Sequence, residues 1–137
     1  MKHHSRINLF GFILVSLVLL SSCDPIQSIY IENQTSTPAS VLFTFNPGAQ
    51  DYRFQEAEGA DTYLVRLDSM GASQEFYFAM GTWGISSSLD SLVAAVASVE
   101  IKSERSSESF VGPQQVRVFF TDRIPKKRKE RIEIILD

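Results

Sequence analysis

Apolar and polar residues alternate with a period of two along much of this chain, but its start does not alternate at all. Ile7 to Leu20 is a predominantly apolar run, preceded by Lys2 and Arg6. Beyond it, Ile29 and Ile31 fall on one face and Tyr30 and Glu32 on the other, which predicts a strand from Ser28 to Asn33. Asn33 to Pro38 is a polar turn, and Val41 to Phe45 predicts a second strand ending at the turn signal Asn46-Pro47-Gly48. The two strands read as an opening hairpin with a long connection. Asp51 to Asp61 is acidic and polar, a loop or an irregular edge strand. Tyr63 to Leu67 and Phe76 to Met80 predict two further antiparallel strands, separated by the reversal Asp68-Ser69-Met70-Gly71.

The period then lengthens. Leu89, Leu92, Val93 and Val96 recur at spacings of three and four, predicting one helix from about Ser88 to Ser98, with Ser87 and Asp90 as an acidic variant of the capping box. Val99 and Ile101 return to alternation. Val116, Val118 and Phe120 alternate against Arg117, and Ile132, Ile134 and Leu136 against Glu133. Phe119 and Ile135 interrupt this polarity, so these last strands are expected to be covered on both faces. The whole predicts a mainly β, α+β domain with one helix, built as an antiparallel β-sandwich or a helix-covered antiparallel sheet.

Residues 1–22 change this picture. A basic start, an apolar core shorter than the ~20 residues of a membrane span and small residues at its end make a secretory signal. Its closing residues, Leu20-Ser21-Ser22-Cys23, resemble the lipobox of bacterial lipoproteins. The resemblance covers the first 23 residues. It implies cleavage between Ser22 and Cys23, lipidation of Cys23 and attachment to the inner or outer membrane of a bacterial envelope. Several acyl chains hold a protein at a bilayer stably. The expected organisation is therefore a signal over 1–22, a lipidated cysteine and short tether over 23–27, and one β-rich domain over 28–137.

Removing the signal takes away Lys2 and Arg6 and no acidic residue, so the formal net charge moves from −3 to −5. That balance argues against nucleic acid as a partner. His3 and His4 leave with the signal, and Cys23 is the only cysteine. The mature chain therefore lacks the residues for disulfides, cysteine or histidine zinc sites, cysteine nucleophiles and histidine triads. A non-enzymatic protein without cofactor or metal is expected.

Four features remain as candidate chemistry. Lys126, Lys127, Arg128, Lys129 and Arg131 form a basic run that reads either as a membrane-facing loop on anionic headgroups or as a solvated connection between the last two strands. Trp83, between Gly81 and Gly84, is a candidate ligand contact that would stack on a sugar or partner, or else a core plug. Glu56, Glu58 and Asp61 would offer oxygens to calcium but do not match the EF-hand spacing. Asn33-Gln34-Thr35 has the form of an N-glycosylation acceptor, and Asp68-Ser69-Met70 and Asp90-Ser91-Leu92 resemble a short bacterial O-glycosylation signal. The leading expectation is a non-catalytic envelope lipoprotein that binds or scaffolds another envelope component, a protein or a glycan. A carbohydrate-binding accessory using Trp83 is the alternative, and a carboxylate-dependent hydrolase is less favoured.

Overall fold

A computed structural model describes residues 24–49, 61–84 and 87–137. Seven strands and two helices follow one another along them. They are β1 (Ile26–Asn33), β2 (Ala39–Phe45), β3 (Thr62–Leu67), β4 (Ser73–Met80), α1 (Ser87–Ala95), β5 (Val96–Lys102), β6 (Ser107–Val111), α2 (Pro113–Thr121) and β7 (Arg131–Leu136). The strands form a three-stranded sheet of order β4-β1-β7 and a four-stranded sheet of order β3-β2-β5-β6. The larger sheet is antiparallel throughout, whereas β1 and β7 pair in parallel.

Period-two patterning sets the inner faces. Ile29 and Ile31 of β1, Ile132, Ile134 and Leu136 of β7, Val41 and Phe43 of β2, and Val99 and Ile101 of β5 are buried in one cluster. The sheets meet through an edge-to-face contact of Tyr63 on β3 with Phe76 on β4, centroids 5.5 Å apart. The arrangement is β-sandwich-like, in keeping with a mainly β, α+β chain. Among the described residues no helix is long and apolar enough to cross a membrane.

Several expectations require correction. β1 and β2 do not form a hairpin; they lie in different sheets. Asn33 explains the divergence. Its N–H donates to Ala72 O and its carbonyl accepts from Gly71 N, tying the end of β1 to the lead-in of β4. Its buried side-chain amide donates to Thr37 O and Leu67 O, while its Oδ1 accepts from the Thr35 N–H and hydroxyl. The chain beyond β1 is thus folded across the top of the sandwich into the other layer. β3 and β4 part in the same way at Gly71, whose φ of 78° suits a residue without Cβ.

The first helix stops at Ala95, three residues short of the expected end, and Val96 already pairs with Phe45 in the sheet. Asn46 accounts for the stop: its N–H donates to Ala95 O and its Nδ2 to Ala94 O, capturing carbonyls that a longer helix would use itself.

Residues 113–121 are a second helix and not a strand. Gly112, at φ 83° and ψ 164°, makes the break, and Pro113 opens the helix where its missing N–H costs nothing. Gln115 reaches back to accept the Val111 N–H at 2.9 Å. The buried residues are Val116, Phe119 and Phe120, spaced at three and four, whereas Val118 is exposed. The helix packs on β5 and β6, and the turn after it accepts the Glu133 N–H of β7 at Arg123 O. Helix and turn together cover the part of the larger sheet that the smaller one does not reach. The short strand β6, polar and largely exposed, lies between Ser107 and Val111 where no strand was expected.

Candidate functional site

Within each sheet the strands run side by side, and the links between them collect at two ends. Pro25, Asn46, Asp61, Met80, Gly81, Gly84 and the basic connection gather at one. The Asn33–Pro38 link, the Asp68–Ala72 link, the Ser103–Ser106 turn and Asp137 gather at the other. The seven steps between the eight residues of β1, at ~3.3 Å each, put the ends about 23 Å apart.

At the first end the chain enters the fold at once. Pro25 O accepts the Gly81 N–H at 2.7 Å, and Ile26 is the register partner of Met80. Strand β1 therefore begins two residues earlier than expected, and the stretch between Cys23 and the sheet shrinks to Asp24 and Pro25. The basic connection is laced to the same place: Ser28 N–H donates to Glu130 O and Trp83 N–H to Lys129 O, both at 2.9 Å. This connection joins α2 to β7, since the segment before it is helical.

Its cations divide into two groups. Arg131 donates through Nε and Nη2 to Oε1 of Glu75, at 3.2 and 2.7 Å, and stacks over Tyr30 with its guanidinium carbon 4.4 Å from the ring centre. Arg128 pairs with Glu133 at 2.6 Å. Lys126, Lys127 and Lys129 are exposed and, among the described residues, make no ion pair.

Glu75 is the hub of the outer face of the smaller sheet. Besides Arg131, its carboxylate accepts from the Ser28 hydroxyl at 2.8 Å and the Tyr77 hydroxyl at 3.1 Å. Partial burial pushes its pKa up, the largest single effect. The Ser28 hydroxyl, the Arg131 guanidinium and the Tyr77 hydroxyl together outweigh it and hold the carboxyl below its ordinary value. The same bond, first, and the charge of Glu75 raise the Tyr77 phenol. A carboxylate so held is a weak proton acceptor and a poor general base. Sequence reasoning passed over this cluster. The available signal was that Tyr30 and Tyr77 occupy outward positions of predicted strands, with Glu75 immediately before the second.

Trp83 is 1% exposed. Its indole N–H donates to Ser28 O at 3.0 Å and its ring meets Phe78 edge-on at 5.1 Å. It is a core residue with no face open to a sugar, which fits the core-plug reading of this tryptophan and not the ligand-stacking one. Asn33 is likewise buried with its amide engaged, which removes it as a glycan acceptor. Ser69 sits in an exposed turn and Ser91 on the outer side of α1, but Leu92, the third residue of the second signal, is core. Ser22, Cys23, Glu56 and Glu58 lie outside the described residues. Asp61 is exposed, and its carbonyl accepts the Phe45 N–H. No group of three metal-binding side chains converges among the described residues.

The far end carries a cleft of about 330 Å³. Thr35, Thr37, Met70, Glu104 and Arg105 line it, and Ser103 and Glu104 continue into a neighbouring hollow of about 320 Å³ beside Arg66 and Lys102. Most residues lining both carry hydroxyls or charges of either sign, with Met70 in the first and Leu64 in the second adding apolar surface. Fold and surface thus define a small β-sandwich-like domain with one lysine-rich end and one polar, cleft-bearing end. Comparison of the chain with protein-family models, curated proteins and solved structures gives no match.

Proposed function

We propose that this protein is a lipid-anchored lipoprotein of the bacterial envelope that serves as a non-catalytic binding or scaffolding module. The signal-like segment and the Leu20-Ser21-Ser22-Cys23 motif carry the address. The structural observation that supports it most is how abruptly the domain starts. Two residues after Cys23 the backbone is already paired to Gly81 and Met80, so acyl chains on that cysteine would hold one end of the sandwich against the bilayer. The polar cleft would then face away from the membrane, toward other envelope components.

A non-catalytic role is favoured by the chemistry that remains. The mature chain has no histidine, its one cysteine is committed to lipid, and Glu75, the most heavily bonded carboxylate described, is locked as an anion. The glycan-binding alternative loses the tryptophan on which it rested.

Metabolic labelling with a palmitate analogue tests the anchor. The expected outcome is label on the wild-type chain in the membrane fraction, and an unlabelled, released product from Cys23→Ser. Wild-type protein that is unlabelled and behaves like the variant would overturn the reading.

A further inference from the structure

We propose that the end at which the chain enters the fold is a docking surface for an anionic lipid bilayer, with Ile26 and Met80 set among the headgroups and Lys126, Lys127 and Lys129 neutralising them. The inference rests on the lipid-anchor reading and adds a second, orienting contact to it.

Three independent observations converge on this end. The first is position: backbone bonds from Ser28 to Glu130 and from Trp83 to Lys129 hold the lysine loop beside the start of β1, within a few residues of Cys23. The second is charge. Arg128 and Arg131 are neutralised from within by Glu133 and Glu75, whereas the three lysines project without ion pairs among the described residues. Glu130 is the one acidic residue within the basic run, so the run itself keeps a positive excess, while Asp24 and Asp61 lie elsewhere on the same end. At the opposite end Arg66 pairs with Asp68 and Lys102 with Glu100, so no comparable surplus stands there. The third is the apolar pair. Ile26 and Met80 are cross-strand partners, 56% and 69% exposed, at the mouth of the tether. Exposed apolar side chains on the same end as a lysine loop fit a headgroup boundary, where the methylenes are buried and the ammonium groups stay wet.

Each lysine at an anionic surface strengthens contact by about fivefold at low salt. That is weak for a protein in solution. With a two-residue tether the contact is intramolecular, and a high effective concentration makes a weak contact sufficient to set orientation.

The lysines provide their own probe. Apart from Lys2 in the signal, the chain has only Lys126, Lys127 and Lys129 at one end and Lys102 at the other. The full lipidated chain is reconstituted into vesicles of pure phosphatidylcholine, or of phosphatidylcholine with about one-quarter phosphatidylglycerol, recovered by flotation and pulsed with an amine-acetylating reagent. Mass spectrometry then gives a rate at each lysine. In anionic vesicles the rate at the three loop lysines should fall by about threefold or more relative to phosphatidylcholine, and recover at about 0.5 M salt. Lys102 should not change. Equal rates at the loop lysines in both vesicles overturn the docking surface, as does protection that ignores salt. Flotation on pure phosphatidylcholine reads the anchor separately: failure to float, with no acyl mass on Cys23, would sink the lipoprotein reading instead.

Discussion

Glu75 shows how far single side chains decide the character of this surface. Its carboxylate joins all three strands of the smaller sheet, taking bonds from Ser28 on β1, Tyr77 on its own β4 and Arg131 on β7. Both members of the Glu75–Arg131 pair are about three-quarters buried, so the pair is less screened than an ordinary surface ion pair. Replacement by glutamine would leave the largely buried guanidinium of Arg131 with only the longer 4.0 Å contact to Glu133, at a cost of about 1–3 kcal/mol near neutral pH. The pH dependence follows from the lowered pKa. A carboxyl that is more acidic folded than unfolded stabilises the fold above its ordinary value of about 4.5 and loses that contribution as the pH falls through its folded pKa. Chemical denaturation of wild type and Glu75→Gln should therefore show the largest gap near pH 7, narrowing toward pH 3. A gap that stays constant, or widens in acid, would mean the carboxylate charge is not what the sheet uses.

Elements behave differently from residues, because an apolar pattern can be met by more than one backbone. Val116, Val118 and Phe120 fit a strand, and Val116, Phe119 and Phe120 fit a helix equally well. Gly112-Pro113 was the deciding signal: a proline just after a glycine is a helix opening, and it outweighs a three-residue alternation. The two assignments make opposite demands. In the helix, Phe119 touches Phe110 and Phe120 at 4.7 and 5.2 Å and lies under the Arg123 guanidinium at 4.0 Å, while Val118 is 56% exposed. Phe119→Ala should cost about 3–5 kcal/mol, and Val118→Gln should stay within about 0.5 kcal/mol. Urea melts of the two variants check this, and the reverse ranking would restore the strand. Strands β1, β2, β3, β4, β5 and β7 were legible because each buries one face and leaves its period in the sequence. β6 was not, since an exposed edge strand has no apolar period to leave. Sheet membership was equally hidden. Whether a polar link reverses within one sheet or crosses to the other depends on bonds such as those of Asn33, which join residues far apart in sequence.

At the scale of the whole molecule, the candidate site was legible in parts and illegible as an assembly. The lysine run and the cysteine motif are plain in the sequence, yet about a hundred residues separate them, and only the parallel pairing of β1 with β7 brings the start of the domain next to Glu130 and Arg131. That pairing gives the tether its mechanical meaning. With Pro25 bonded to Gly81, Asp24 alone separates Cys23 from a residue fixed to the sheet, and under the proposed anchor a span of about 7 Å would not let the domain tumble freely above a bilayer. Lengthening it should uncouple anchoring from orientation. About ten Gly/Ser residues inserted after Asp24 would leave the Pro25–Gly81 bond and β1 intact while extending the tether to roughly 18 Å root-mean-square. Palmitate incorporation should be unaffected, because the motif and Cys23 are unchanged. Acetylation of Lys126, Lys127 and Lys129 on anionic vesicles should rise severalfold toward the rate at Lys102, because the effective concentration of the loop at the surface falls with tether length. Protection that survives the insertion would show that the loop holds the membrane by its own affinity, and that the short tether plays no part in setting the domain's attitude.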